Sequence, residues 1–190
     1  MSHKPLREAP WYLVYDLEAT CDDSSPREVP KYEMETIEIG AVLVSGETFQ
    51  PVDEFQAFIR PVRHPVLTPF CTRLTSITQA EVDAAPTFPE VFSAFTAWAG
   101  KYPGCLWSSW GAFDGRQLKR DSAFWKMPPP EVEFYNFKEA FADHLRIKRC
   151  GIPGALAILG LGRMTGTHHR GIDDARNIAR VLAALAGRKP

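Results

Sequence analysis

The sequence predicts an α/β protein, a mixed sheet flanked by helices with its first three strands antiparallel. Three observations predict it. The run from Trp11 to Leu17 consists of β-formers with apolar residues on both faces, as in a central strand of a covered sheet. Two more β-rich stretches follow it closely. From Thr78 onward, helical periods alternate with short strand-like runs, the pattern of an α/β sandwich.

The first strand leads into Asp16-Leu17-Glu18-Ala19-Thr20. Residues two apart on a strand share a face, so Asp16 and Glu18 project together, close enough to share a cation. Taken alone, D-x-E is also a common accident of acidic surfaces. Cys21 to Glu33, rich in Asp, Ser and Pro, cannot continue a sheet and reads as an exposed loop beside the two acids, either the rim of a site or a tolerated insertion. Glu35 to Val44 is a β-branched, apolar strand with Gly40 inside it, and Val52 to Ile59 alternates well enough to pair with it through a turn at Ser45-Gly46. Pro61 to Ile77 reads as irregular, because Pro61, Pro65 and Pro69 break any ladder.

Thr78-Gln79-Ala80-Glu81 has the spacing of a capping box and opens a short helix, and Thr87-Phe88-Pro89-Glu90 repeats the signal. Val91, Phe92, Phe95, Trp98 and Ala99 then recur at helical spacing and form core. Cys105 to Trp110, bounded by Gly104 and Gly111, reads as a buried strand, and Phe113 opens a helix. Asp114 therefore falls at a strand-to-helix junction, where ligands collect in α/β sheets. Met127-Pro128-Pro129-Pro130 ends that helix. Val132 to Phe134 is a further short strand, Asn136 caps a helix to about Arg149, and Ala155 to Leu161 forms a short apolar helix. The last helix runs from about Arg170 to Ala186, with Gly187 as its stop.

On that last helix the adjacent aspartates point to different sides. At 100° per residue Asp174 lies among Ile178, Val181, Leu182 and Leu185, whereas Asp173 lies among Arg176, Asn177 and Arg180. Asp173 is explained as a solvated acid favoured by the helix dipole. A buried Asp174 needs a cation or a buried Arg partner. Asp16, Glu18, Asp114 and Asp174 all emerge toward the core, and four clustered carboxylates repel one another unless divalent cations are present. Oxygen donors select magnesium or manganese rather than zinc, and two such ions suit phosphodiester hydrolysis. The base that such chemistry needs can come from His169, five residues before Asp174, or from its neighbour His168.

At 190 residues, 45% hydrophobic, the chain fits one domain, residues 1–190 with a core of about 11–186. A net charge of −1 excludes nucleic-acid binding by bulk charge and leaves local basic patches open. Four separated cysteines without a C-x-x-C pair read as reduced thiols and exclude a cysteine zinc site. Met1 to Pro10 has no apolar signal region and no later run is long enough to span a bilayer, so a cytoplasmic protein without membrane contact is expected.

The blocks Asp16-Leu17-Glu18-Ala19-Thr20, Ser109-Trp110-Gly111-Ala112-Phe113-Asp114 and His168-His169-Arg170-Gly171-Ile172-Asp173-Asp174-Ala175-Arg176-Asn177 resemble the three exonuclease motifs of the DEDD superfamily in its histidine branch, DEDDh. With Leu67-Thr68-Pro69-Phe70-Cys71-Thr72-Arg73-Leu74-Thr75-Ser76-Ile77-Thr78, the last block resembles the histone-mRNA 3′-end exonuclease group, related to enhancer-of-RNA-interference nucleases. The resemblance runs from about Trp11 to Leu185. It implies an RNase H-like fold and metal-dependent hydrolysis from the 3′ end of single-stranded RNA or short overhangs, releasing nucleoside 5′-monophosphates. A 3′-to-5′ DNA exonuclease and a non-catalytic nucleic-acid-binding module are the other readings. By position, the resemblance implies that Asp16, Glu18, Asp114 and Asp174 hold two Mg2+ or Mn2+ ions, with Glu18 counted among the catalytic groups. His169 matches the general base. Ala19, Thr20, Leu74 and Phe113 match substrate contacts, a Leu or Phe at such positions being as readily core. Arg163 and Arg170 are either phosphate contacts or solvated. Animal members of the group carry an extra small nucleic-acid-binding domain for which this chain has no room, which leaves stem-loop recognition open.

Overall fold

The computed structural model describes residues 6–186. Five strands, β1 (Trp11–Ala19), β2 (Thr36–Ser45), β3 (Pro51–Phe58), β4 (Leu106–Ser109) and β5 (Phe134–Asn136), form one sheet in the order β3-β2-β1-β4-β5. β1 pairs antiparallel with β2, and β2 with β3, whereas β4 lies parallel to both β1 and β5. The sheet is mixed and its first three strands are antiparallel.

The helices are α1 (Pro69–Thr75), α2 (Gln79–Asp83), α3 (Phe88–Ala99), α4 (Phe113–Phe124), α5 (Phe137–Leu145), α6 (Ile152–Leu159) and α7 (Gly171–Ala186). The even residues Tyr12, Val14, Val42 and Val44 pack with the apolar faces of α5, α6 and α7. The odd residues Leu13, Tyr15, Leu17, Ile39, Ala41 and Leu43 pack with Phe92, Phe95 and Trp98 of α3 and Leu118 of α4. Period-two alternation thus feeds two cores from the same strands, which is why β1 and β2 read as apolar on both faces. Among the described residues no helix is long and apolar enough to cross a membrane.

Four local expectations are corrected. Pro61 to Ile77 contains α1, because Thr68 Oγ1 accepts the Cys71 N–H at 3.0 Å and Pro69 occupies the first turn, where its missing N–H costs nothing. β5 lies at Phe134–Asn136, and Asn136 caps α5 directly. That helix stops at Leu145, with Arg146 in the left-handed region, short of Arg149. α6 begins at Ile152 and stops before a left-handed Gly160. Both capping boxes are present at Thr78 and Thr87. The expected stop at Gly187 lies outside the described residues.

Two glycines let α7 settle on the sheet. A Cβ on Gly40 of β2 would lie 2.0 Å from the Ile172 nitrogen, and one on Gly171 would lie 2.9 Å from the Asp16 carbonyl oxygen. Only hydrogen at both positions permits this approach of helix and strand backbones. The first turn of α7 thereby meets β1 and β2 beside Asp16.

Candidate active site

Asp16 faces Gly40 across the β1–β2 pair and Glu18 faces Glu38, so both acids stand on the α7 side of the sheet, beyond the last parallel contact of β1 with β4 at Val14 and Ser108. The period of α7 turns Asp174 toward them, buried at 3% exposure. One carboxylate oxygen from each of Asp16, Glu18 and Asp174 can be chosen such that all lie within 4.8 Å of one another. Asp114, in the first turn of α4, lines the same cleft, with Oδ1 accepting the Leu17 N–H at 3.1 Å. That bond ties the start of α4 to the end of β1. Asp114 is thus adjacent to the three-acid group but is anchored to the backbone.

The cleft has a volume of about 340 Å3. Its lining includes Asp16, Glu18, Ala19, Leu74, Phe113, Asp114, His168, His169 and Asp174, eight of them sequence-predicted site residues and His168 the competing histidine. Thr20 is not brought there. It is buried, its N–H donates to the Glu35 carbonyl at 2.8 Å, and its hydroxyl accepts the Glu35 N–H at 2.9 Å. A register shift between Glu18 and Ala19 precedes this pairing. The Thr20 amide is thus engaged with Glu35, although the resemblance matches Thr20 to a substrate contact.

His168 Nδ1 is 3.1 Å from both Asp174 oxygens, and the His169 N–H donates to Asp174 Oδ2 at 3.1 Å. The two imidazoles stack with centroids 3.9 Å apart. The partners of the buried Asp174 are therefore histidines. Asp173 is more than a solvated acid: it accepts the Thr167 N–H at 2.8 Å and pairs with Arg176 at 3.2 Å, holding the histidine loop against α7. Arg170 is turned inward, with Nε 3.4 Å from Glu38 Oε2 and its guanidinium 5.0 Å from the Phe58 ring centroid.

The electrostatics follow from crowding in a desolvated place. Burial, reinforced by Asp114, Glu18, Asp174 and Glu38, holds the Asp16 carboxyl well above the usual carboxylate range. Glu18 is pushed up to about 9 by burial and by Asp174 and Glu38. Burial also raises Asp114 to about 6, against the lowering effect of the Leu17 N–H. His169 is lowered by burial and by His168. Asp16 and Glu18 so placed keep protons at neutral pH until positive charge arrives, and an all-oxygen donor set fits hard divalent cations. Asp16, Glu18 and Asp174 are therefore suited to hold such ions.

Several functional neighbours were not singled out from sequence. Glu38 is fully buried, with Oε1 accepting from Gln56 Nε2 at 2.8 Å and Oε2 from the Gly171 N–H at 2.9 Å. An acid inside the apolar run Thr36-Ile37-Glu38-Ile39-Gly40 was its signal. Trp110, Ile152 and Pro153 also line the cleft. Trp110 anchors this wall through its Nε1–H, which donates to the Cys150 carbonyl at 3.0 Å.

Comparison with known proteins gives a consistent picture. The family model RNase T, described as exonuclease, matches residues 13–182. The chain is 30% identical over 184 residues to 3′-5′ exoribonuclease 1 of Homo sapiens, covering 92% of this chain and 52% of that protein. It is 30% identical to 3′-5′ exonuclease eri1 of Schizosaccharomyces pombe, covering 92% of this chain and 67% of the relative. The chain thus spans about half the length of the human relative. Among solved structures, the nuclease domain of 3′hExo, a DEDDh family member bound to rAMP, superposes with a TM-score of 0.85 at 28% identity, covering 94% of this chain and 92% of that domain.

Proposed function

The chain belongs to the RNase T exonuclease family, and we propose that it is a metal-dependent 3′-to-5′ exoribonuclease that releases nucleoside 5′-monophosphates from single-stranded RNA ends or short overhangs. The observation that carries this reading is the convergence of Asp16, Glu18 and Asp174 in one cleft with Asp114 and His169. When bound, two divalent cations, Mg2+ or Mn2+, supply the charge and Lewis acidity with which water hydrolyses a phosphodiester bond. Asp16, Glu18, Asp114 and Asp174 hold them. A ring nitrogen of His169 takes the proton from the attacking water, a role supported by its lowered pKa, which keeps the imidazole neutral at working pH. Phe113, Leu74 and Ala19 wall the space for the terminal nucleotide, with Phe113 offering a ring face to its base. Thr20, next to Ala19, fixes the end of β1 through its bonds to Glu35.

The preference for RNA draws on relatives named as exoribonucleases and on the rAMP-bound nuclease domain. A DNA exonuclease is the second reading, because the same acids serve either sugar and discrimination needs a contact to the 2′-hydroxyl. The chain is read as one exonuclease domain. Its four free thiols support a reducing compartment, and we place the protein in the cytoplasm. Matched RNA and DNA oligonucleotides, single-stranded and with 3′ overhangs, digested with Mg2+ or Mn2+, test the assignment. Faster loss of RNA is expected; faster loss of DNA overturns the preference.

A further inference from the structure

The exonuclease reading uses oxygen donors and one histidine, and it leaves His168 without a task. His168 sits on the loop entering α7 with its side chain 44% exposed. Its Nδ1 points at the carboxylate of Asp174, 3.1 Å from each oxygen. The neighbouring His169 adopts a left-handed backbone conformation, φ 63°, and the two rings lie nearly parallel, 20° between planes, on the same side of the loop. Successive residues in an extended chain send their side chains apart; here the turn keeps both imidazoles on one side, and because stacked rings hold their in-plane lone pairs nearly parallel, joint ligation requires the half-exposed His168 ring to turn out of the stack. A ligand atom from each of His168, His169 and Asp174 can be chosen so that all three lie within 4.8 Å of one another. Asp174 also receives the His169 N–H on Oδ2, an outer contact of the kind that orients a metal ligand.

This donor set differs in kind from its neighbour. The group Asp16, Glu18 and Asp174 offers only carboxylate oxygen, whereas the group His168, His169 and Asp174 offers two imidazole nitrogens and one oxygen. Imidazole favours zinc over magnesium, and zinc binds more tightly than manganese to mixed nitrogen and oxygen donors. Three protein ligands with one position left to solvent is a common zinc arrangement, and the exposure of His168 keeps the approach open. We infer that His168, His169 and Asp174 form a second metal site, selective for zinc-class divalent ions, which shares Asp174 with the acidic cluster. A zinc ion held there withdraws Asp174 from the acids and occupies the His169 ring, so zinc antagonises hydrolysis supported by magnesium. The antagonism rests on the exonuclease reading; the binding does not.

The test titrates the full chain calorimetrically with zinc chloride alone and with manganese chloride alone, in the wild type, His168→Gln and His168→Ala. Loss of His168 is expected to weaken zinc binding by at least the roughly 10–100-fold that losing an outer-shell partner costs, and to weaken manganese binding much less. Thermal melting of both variants checks that this exposed position leaves the fold intact. Zinc affinity equal in all three proteins overturns the site, because the metal then sits on the carboxylates alone and the His168 contact is a simple hydrogen bond. In a second arm, zinc is added to magnesium-supported digestion of a 5′-labelled oligonucleotide. The concentration for half-inhibition is expected to rise in His168→Gln by the same factor as the zinc affinity falls, and an unchanged value contradicts the sharing of Asp174. Zinc binding through His168 in a wild type that digests nothing upholds the site and counts against the exonuclease reading.

Discussion

Glu38 on β2 accepts the N–H of Gly171 at 2.9 Å, so a fully buried strand carboxylate caps the helix that carries Asp174. The same oxygen lies 3.4 Å from Arg170 Nε, and the other accepts from Gln56. Glu38→Ala leaves a buried N–H without an acceptor and Arg170 with only the more distant Glu81, 3.9 Å away, as counter-charge, a loss of about 3 kcal/mol. Urea denaturation measures it. Glu38→Gln retains an acceptor and is expected to cost less, and both changes are expected to weaken Mn2+ binding by loosening the first turn of α7.

Gly40→Ala is expected to be more damaging than its size suggests. The added methyl falls 2.0 Å from the Ile172 nitrogen and 2.1 Å from the Gly171 carbonyl carbon, both backbone atoms that no rotamer change can move. The helix must lift, at the roughly 1–3 kcal/mol or more of an overpacked core. Since the displaced segment carries Asp174, metal affinity falls with stability, and calorimetry beside a denaturation curve reads both.

The pH dependence of the metal-free protein follows from its raised carboxyls. Glu18 moves up from 4.5 to about 9 and Asp114 from 3.8 to about 6. Above their unfolded pKa values the unfolded chain releases protons that the folded state keeps, so folding stability falls as pH rises. The loss from Asp114 is complete near pH 6, and that from Glu18 continues to about pH 9. Melting temperatures of the metal-free chain are expected to drop between about pH 5 and pH 8. Saturating Mg2+ should flatten that slope, with proton release on binding. A metal-free melting temperature that climbs across that range contradicts the crowding of these acids.

His169→Ala is expected to lower turnover by about 10²–10⁴-fold, the contribution of a general base, while Mn2+ binding at the acids persists. His168→Ala is expected to cost much less in turnover without zinc. Steady-state kinetics on both variants decides between the neighbours, and a larger loss in His168→Ala reverses the assignment.

Much of this site was legible because its signals are periodic. Strand alternation put Asp16 and Glu18 on one face, and the period of α7 sent Asp174 inward while leaving Asp173 outside. What was not legible depends on single local events. Pro69 read as a breaker, but behind the Thr68 cap it starts α1, the helix that carries Leu74 to the cleft. The register shift after Glu18 leaves no trace in composition, so Thr20 seemed free when it is bonded to Glu35. Adjacent histidines cannot be separated by spacing, and only the left-handed turn at His169 shows how both reach one place.

If one carboxylate cluster performs metal-dependent hydrolysis from the 3′ end, Asp174→Asn abolishes it. Replacing this buried carboxylate relieves repulsion on Asp16 and Glu18 in the metal-free protein, so the variant is expected to fold and melt no lower than the wild type. Wild type and variant are each incubated with 5′-labelled RNA and Mg2+ or Mn2+, and the products are resolved by length. A ladder shortening one nucleotide at a time from the 3′ end in the wild type, absent in the folded variant, is the predicted result. Internal cleavage, or a ladder that survives Asp174→Asn, rules out 3′-end hydrolysis by this cluster.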